Sequence, residues 1–415
     1  MSEAQLAATL STFRKWLYLP DATPALAMLG TVAANLGDGD PVWMLLVGPP
    51  GGGKSELLTS VSEIPHVHPA ATLTEAALLS GTPKREHDDD AHGGLLRAIG
   101  DFGIILAKDF GSVLSMNRDA RAQVLAALRE VYDGSWTRHV GTDGGRTLHW
   151  TGKVGLVAGC TPTIDRHHAV MGAMGERFML CRLPEVNAAE QARWALRHAG
   201  REAEMRRELT RAVAGLFSSG LKEPSQLVEQ EREQLVHLAT FTARARSAVE
   251  RDGYSREIEL IPEPEAPTRL IIVLDRLLAG LDTLGTSRCD AWAAISRCAL
   301  DSIPALRLAC IVDLVDRDEA ETSAIAERVG YPTTTARRAL EELHAHGLVN
   351  RIDQGKGHSH AWKLTAWARD TYGAIRAFPE MSECIYTSPL RIGEDKSGKV
   401  SEVHLRTLVA QTGAL

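Results

Sequence analysis

The run GPPGGGKS at residues 48–55 has the residue types and spacing that can hold a phosphate. It fits the pattern G-x-x-x-x-G-K-S in full, and its small residues let backbone N–H groups close around an anion. Lys54 can reach the β- and γ-phosphates, and the Ser55 hydroxyl can bind Mg²⁺. We therefore predict a site for ATP and Mg²⁺; the alternative is a glycine-rich turn that matches by chance. The predicted cofactor-binding residues are Gly48, Pro49, Pro50, Gly51, Gly52, Gly53, Lys54, Ser55 and Glu56.

Such a site also needs a carboxylate at a strand end to hold the shell of the Mg²⁺ ion. Asp109 follows the apolar run at residues 102–107 and is the predicted metal residue together with Ser55. The alternative is that this Asp only caps the next turn. Position 110 is Phe, so no glutamate stands beside Asp109 to orient the attacking water. Either another carboxylate, such as Glu130, does this work, or hydrolysis is slow.

The surrounding pattern indicates how the chain positions these residues. Apolar runs at 42–47, 102–107 and 154–158 predict buried strands, and a helix is expected to start near Ser55. A further helix is predicted from Arg118 to Tyr132. Strands that alternate with helices imply a mainly parallel sheet, so we expect an α/β fold.

Composition sets limits on the class of protein. The 415 residues predict two or three domains. A net charge of −7 excludes a wholly basic nucleic-acid coat but permits a local basic patch. The sequence starts without a signal-peptide pattern and contains no apolar run near the ~20 residues that span a bilayer. The six cysteines include no C-x-x-C pair and predict free thiols, so we expect a cytoplasmic protein.

Residues 302–372 have the order of a winged helix. Helices are predicted at 306–315, 322–329 and 333–346, followed by a β-ribbon that pairs 348–352 with 361–364. In such units the third helix enters the major groove of DNA. The alternative is a winged helix that contacts protein, because fold does not fix function. The predicted DNA contacts here are Arg337, Arg338 and Lys356.

From residue 40 to 285, the order of motifs resembles the AAA+ ATPases, most closely the minichromosome-maintenance-like helicases of phages and mobile elements. The resemblance implies that Thr161 is a polar sensor residue, where the family often has Asn. It implies that Arg177, in the segment GERF, is an arginine finger and that Arg269 is a second sensor arginine. A hairpin predicted at 135–151 corresponds to one that grips DNA in the pore of these helicases; the alternative is a solvent-exposed hairpin. Its candidate DNA contacts are Arg138, His139 and Arg146.

The sequence therefore predicts a P-loop AAA+ core with a parallel sheet, a helical lid and a C-terminal winged helix. The predicted catalytic residues are Lys54, Asp109, Thr161, Arg177 and Arg269. The leading hypothesis is a ring-forming, ATP-driven DNA helicase or replication ATPase. The alternatives are an ATP-switched DNA-binding regulator that does not translocate and an assembly ATPase that acts on protein. The predicted segments are N-terminal helices at 1–40, the ATPase core at 41–187, the lid at 188–300, the winged helix at 301–372 and a tail at 373–415.

Overall fold

Short apolar runs form the central sheet of the chain. The computed structural model describes residues 3–80, 93–141, 145–172, 176–218, 220–355 and 359–378. The chain divides into two compact units: the first ends at Pro304 and resumes at Thr371, and the second begins at Ala305. The strands of the first unit are β1 (Trp43–Val47), β2 (Val67–Ala70), β3 (Phe102–Ala107), β4 (Ser135–Val140), β5 (Arg146–Thr151), β6 (Lys153–Cys160), β7 (Phe178–Arg182), β8 (Glu250–Arg251) and β9 (Ile258–Leu260).

Helices cover this sheet, as strand–helix alternation predicts. In chain order they are α1 (Glu3–Trp16), α2 (Thr23–Leu36), α3 (Lys54–Ser60), α4 (Glu75–Leu78), α5 (Leu95–Ile99), α6 (Gly111–Leu114), α7 (Arg118–Tyr132), α8 (His168–Gly172), α9 (Ala188–Arg197), α10 (Glu202–Ser218), α11 (Glu229–Arg246), α12 (Thr268–Thr283) and α13 (Arg288–Asp301). None of the described helices is long and apolar enough to cross a bilayer.

Five of the strands form one parallel sheet in the order β2-β3-β6-β1-β7. The predicted α/β fold with a mainly parallel sheet is therefore confirmed. Because the strands are parallel, their carboxyl ends share one edge of the sheet, called here the carboxyl edge, and their starts share the opposite amino edge. Sequence analysis missed β2 and β7. Strand β2 is short, lies outermost in the sheet and contains Pro69. Proline within a sheet is usually confined to outermost strands, because it cannot donate to the ladder.

The core of the first unit lies around Trp43, at the start of β1. Its indole N–H donates to the carbonyl of Val154 at 2.7 Å. The ring packs against Tyr132 at the end of α7, with 5.1 Å between centroids, and against Phe178 at the start of β7, with 5.2 Å. These contacts place the end of α7 at the amino edge of the sheet.

The predicted hairpin at 135–151 is present as the antiparallel pair β4–β5. One face, with Trp136, Leu148 and Trp150, is buried in the core. The opposite face exposes His139 and His149, each hydrogen-bonded to a threonine of the other strand. The hairpin is therefore half-buried and presents histidine and threonine side chains on its exposed face.

Helices α2 and α12 approach each other backbone to backbone. A Cβ atom on Gly280 would collide with the carbonyl oxygen of Gly30, so this crossing requires glycine. Helix α2 is in turn fixed to the sheet through Asn35. The Asn35 side-chain amide donates to the carbonyl of Val42 at 2.8 Å, and its Oδ1 accepts from the N–H of Val42 at 2.9 Å.

Among its described residues, the second unit contains three whole helices, the start of a fourth and a small antiparallel sheet. The strand order in this sheet is Ala320–Glu321 (β10), Ala361–Leu364 (β12) and Val349–Ile352 (β11). The helices and ribbon predicted for this segment are confirmed, and β10 was missed. Trp362 is buried and donates its indole N–H to the Thr322 hydroxyl at 2.8 Å. The elements are α14 (Ala305–Val315), β10 (Ala320–Glu321), α15 (Thr322–Val329), α16 (Thr333–Ala345), β11 (Val349–Ile352), β12 (Ala361–Leu364) and α17 (Ala366–Ala377), whose residues from Thr371 belong to the first unit.

The cysteines correct one expectation. Cys289 is disulfide-bonded, whereas sequence analysis expected free thiols throughout. Four other cysteines are buried free thiols: Cys160, Cys181, Cys298 and Cys310.

Candidate functional site

The glycine-rich loop leaves the carboxyl end of β1 and enters α3 at Lys54. Gly51 and Gly53 have φ values of 77° and 86°, in the left-handed region that favours glycine, and the space at their Cβ positions is open. Gly48 packs so closely on Leu183 that a Cβ atom there would lie 2.9 Å from the leucine Cδ1. The loop conformation therefore depends on glycine at these positions and leaves room above the backbone.

The Lys54 amine lies inside this loop. Its Nζ donates to the carbonyl oxygens of Gly48 at 2.6 Å and Pro49 at 2.8 Å. Burial lowers the pKa of Lys54 below its usual value, while Cys160 and Asp109 act in the opposite direction. A buried ammonium group that donates to two carbonyls gains from an anionic partner, because opposite charge offsets desolvation. The loop thus fits a phosphate.

The end of β6 brings the two predicted motifs together. Gly48 donates its N–H to the carbonyl of Cys160 at 3.1 Å, and Phe110 donates to that of Gly159 at 2.7 Å. Asp109 is exposed, and its Oδ1 accepts from the N–H of Gly111 at 2.9 Å. The capping role weighed for Asp109 therefore exists in the structure. The same carboxylate is also near enough to Lys54 to influence its pKa.

Thr161 follows β6 at the same carboxyl edge. It is partly exposed, and its hydroxyl shares a 2.6 Å hydrogen bond with that of Thr163. Cys160 beside it is buried, and burial raises the pKa of this thiol to about 11. The structure thus brings Lys54, Asp109 and Thr161 to one edge of the sheet.

Two ion pairs at this edge were not found from sequence. Arg182, at the end of β7, holds Asp165 in a bidentate pair at 2.7 and 3.0 Å. Arg206 of α10 holds Glu56, just after the glycine loop, at 2.7 and 3.0 Å. Arg182 ends an apolar strand and Arg206 lies in a charged helix, and only the tertiary fold identifies their partners.

Glu130 is not placed beside Asp109 of its own chain. It lies two residues before Tyr132, whose ring packs at the amino edge, and it is exposed next to Arg129. The suggestion that Glu130 orients water in this site is therefore wrong within one chain. The reason is the direction of α7, which carries its last turn away from the carboxyl edge.

Arg177 and Arg269 meet at the opposite, amino edge. Arg177 precedes β7 directly, is buried, and donates Nη2 to both oxygens of Asp133 at 2.7 and 3.0 Å. Its guanidinium lies 5.3 Å from the Tyr132 ring centroid, and that of Arg269 lies 6.0 Å from the same ring. Arg269 and Asp133 line a cavity of about 620 Å³ that also includes Asp40. The structure thus groups the two arginines and separates them from the glycine loop of the same chain.

A buried cluster anchors the segment around Arg177. Arg246, at the end of α11, holds Glu265 at 2.8 and 2.9 Å and reaches the carbonyl of Phe178 at 3.4 Å. Glu176 lies beside them with its side chain largely buried and His168 at 3.7 Å, and desolvation raises the pKa of this carboxyl to about 7. These contacts fix the end of α11 to the amino edge.

The predicted DNA contacts fall into three groups. Arg138 is structurally engaged, donating to Glu75 at 2.9 Å and to the carbonyl of Leu79 at 2.5 Å. His139 is exposed and Arg146 partly exposed. Arg337 is exposed on α16, with Arg338 partly exposed beside it. Lys356 lies outside the described residues.

Comparisons with known proteins add little to this geometry. No protein-family model matches the chain, and no curated protein matches it. Among solved structures, it is similar to the A form apo structure of the NrS-1 C-terminal region, with 12% identity and a TM-score of 0.23. The match spans 59% of this chain and 57% of that one. A TM-score this low supports no transfer of fold or function.

Proposed function

We propose that the chain is an ATP-driven DNA motor of the P-loop AAA+ class that assembles head to tail into a ring, a DNA helicase or replication ATPase. The observation that carries this proposal is the division of the charged residues between the two edges of the sheet. The glycine loop, Lys54 and Asp109 lie at one edge, and Arg177 with Arg269 lies at the other. A second copy can supply the arginines that the loop of the first copy lacks.

The roles of the residues follow from the charge of phosphoryl transfer. In the transition state, negative charge is spread over the γ-phosphate oxygens, and a positioned cation stabilises that charge. Lys54 binds and orients the phosphates from within the loop. Ser55 and Asp109 are the residues that would hold Mg²⁺, which neutralises phosphate charge when bound. Arg177 contributes its guanidinium across the interface after leaving Asp133.

The second unit supports DNA as the partner. Its helices and antiparallel ribbon follow the element order predicted for a winged helix, and Arg337 is exposed in the first turns of α16. We propose that α16 enters the major groove and that Arg337 and Arg338 contact phosphates or bases.

A second candidate, an ATP-switched DNA-binding regulator, is favoured by two observations at the carboxyl edge. Position 110 is a buried Phe, and Asp165 is held in its bidentate pair with Arg182. A carboxylate engaged by a guanidinium is a poor acceptor for a proton from water. Slow hydrolysis suits a switch better than a motor.

The experiment that separates the two is a strand-displacement assay on forked DNA, run beside ATPase rates with and without single- and double-stranded DNA. A motor displaces the strand, and DNA raises its turnover. Binding of duplex DNA with ATP but no displacement would leave the switch.

We predict that Asp109→Asn impairs Mg²⁺-dependent hydrolysis more than nucleotide binding, because the carboxylate acts through the shell of the ion. Turnover and nucleotide affinity should be measured across a Mg²⁺ titration. Asp119→Asn, an exposed Asp in the first turn of α7, is the matched control. Normal hydrolysis by the Asp109 variant would leave it as a cap alone.

We predict that Arg337→Ala with Arg338→Ala weakens duplex binding and flattens its salt dependence. Each lost phosphate contact lowers the slope of log K against log salt by about 0.9, so two contacts give about 1.8. Arg14→Ala with Arg207→Ala removes the same charge from exposed positions of the first unit and serves as the control. An unchanged slope and affinity would exclude this mode of DNA binding.

A further inference from the structure

The hairpin β8–β9 projects from the amino edge of the first unit. Its neck is closed where Glu265 donates its N–H to the Ser247 hydroxyl at 2.9 Å, next to the cluster around Arg246. Its turn is shaped by Asp252, whose Oδ1 accepts from the N–H groups of Tyr254 at 3.0 Å and Ser255 at 2.6 Å. The hairpin is therefore a defined element rather than a loose loop.

The tip of this hairpin presents an aromatic side chain to solvent. Tyr254 is 99% exposed, and Leu260 and Ile261 at the returning strand are 52% and 51% exposed. A fixed turn that exposes a whole tyrosine resembles the anchors of protein interfaces, since Tyr supplies large contact area at low entropy cost.

The flanks of the hairpin are acidic. Residues 250–260 contain four carboxylates and two guanidinium groups. Glu250, Glu257 and Glu259 are exposed, and within the described part of the chain none of them forms an ion pair. This charge disfavours a nucleic acid and favours a basic surface with exposed apolar groups.

Helix α9 offers such a surface. It contributes no buried residue, and Leu196 is 76% exposed. Arg193 lies three positions before Leu196 and four before Arg197, so it neighbours both on the helix surface. The Arg197 guanidinium lies 5.4 Å from the ring centroid of Trp194. Both arginines are exposed, and neither is in an ion pair with a described residue. The carboxylate of Glu190 in the same helix accepts a hydrogen bond from the Tyr18 hydroxyl at 2.5 Å.

The two surfaces belong to opposite edges of the sheet. The segment leading to α9 starts at the carboxyl edge, where Leu183 donates to the carbonyl of Val47 at 2.7 Å. The neck of the hairpin starts at the amino edge, where Arg246 contacts Phe178. Complementary patches on opposite ends of one molecule meet in a head-to-tail contact between two copies.

We propose that the β8–β9 hairpin of one copy docks on α9 of the next copy. Tyr254 packs beside Leu196, and Glu257 and Glu259 face Arg193 and Arg197. This inference rests on the head-to-tail assembly proposed above and names the surfaces that set its direction.

The test exchanges the charges of the two surfaces in the full chain. Mass photometry measures the protein concentration at which assemblies form in the presence of Mg²⁺ and a non-hydrolysable ATP analogue. The doubles Glu257→Arg/Glu259→Arg and Arg193→Glu/Arg197→Glu should each raise this concentration at least about tenfold, because like charges then face each other. The quadruple variant should return to within about threefold of the starting chain. Glu223→Arg/Glu233→Arg makes the same charge change at exposed positions and should have no effect.

Rescue by the quadruple variant excludes misfolding as the cause of a double variant's defect. Doubles that assemble like the starting chain, or a folded quadruple no better than the doubles, would overturn the docking proposal and leave the ring intact. If the Arg193/Arg197 double assembles normally but loses DNA affinity, α9 contacts DNA and the docking proposal also fails. A starting chain that stays monomeric throughout would overturn both docking and ring.

Discussion

Replacing Lys54 by alanine is expected to abolish ATP turnover, with a loss on the order of a hundredfold or more. The amine is held inside the glycine loop by two carbonyl oxygens, so its removal takes away the cation closest to where the phosphates bind. Burial of this ammonium also disfavours its charged form, and a phosphate partner offsets that cost. Single-turnover hydrolysis with excess enzyme gives the loss directly.

Lys15→Ala is the matched control, because Lys15 is an exposed lysine paired with Glu208 on the surface. It should hydrolyse ATP at the starting rate. Circular dichroism confirms that the Lys54 variant is folded. ATPase activity unchanged in a folded Lys54 variant would remove the nucleotide site from residues 48–55.

Replacing Arg177 by alanine is expected to leave ATP binding nearly intact and to lower hydrolysis by about a thousandfold, the range for an arginine that stabilises transferred phosphoryl. Arg177 lies at the amino edge, remote from its own loop, so its effect should act on a neighbour. Activity per chain should therefore rise steeply with protein concentration in the unmodified protein. ATP affinity and turnover are measured at several concentrations.

Mixing the Arg177 and Lys54 variants tests this directly. In an equal mixture, about one interface in four combines an intact loop with an intact arginine, so partial activity should return. Asp133→Asn removes the partner of Arg177 within its own chain and separates loss of that ion pair from loss of the arginine. Concentration-independent hydrolysis without rescue on mixing would exclude the ring motor and favour the switch.

Local patterns were enough to predict the three central strands of the main sheet, β3, β6 and β1. The runs at 42–47 and 102–107 are uniformly apolar, as parallel strands buried on both faces must be. The glycines at 51 and 53 have the conformation that the motif needs. By contrast, β2 contains Pro69, and the apolar part of β7 is only the four residues before Arg182, too short for its period to distinguish a strand from a buried helix.

The partners of charged residues could not be predicted, because they come from distant parts of the chain. Arg177 pairs with Asp133 and Arg206 with Glu56, across 44 and 150 positions of sequence. Similarly, nothing local in Arg138 distinguishes a DNA contact from its actual pairing with Glu75. Motif order predicted the candidate site residues. Which of them contact one another is determined only by the tertiary fold.

The crossing of α2 and α12 at Gly30 and Gly280 determines how displacement can travel through the first unit. Backbone meets backbone there, so no side-chain rotation can absorb sliding between the helices. Arg269, at the start of α12, is thereby coupled through α2 and Asn35 to β1 and the glycine loop that follows it. A mechanical load applied at Arg269 would tilt the sheet with it, so the first unit would transmit strain as a rigid body rather than through a hinge.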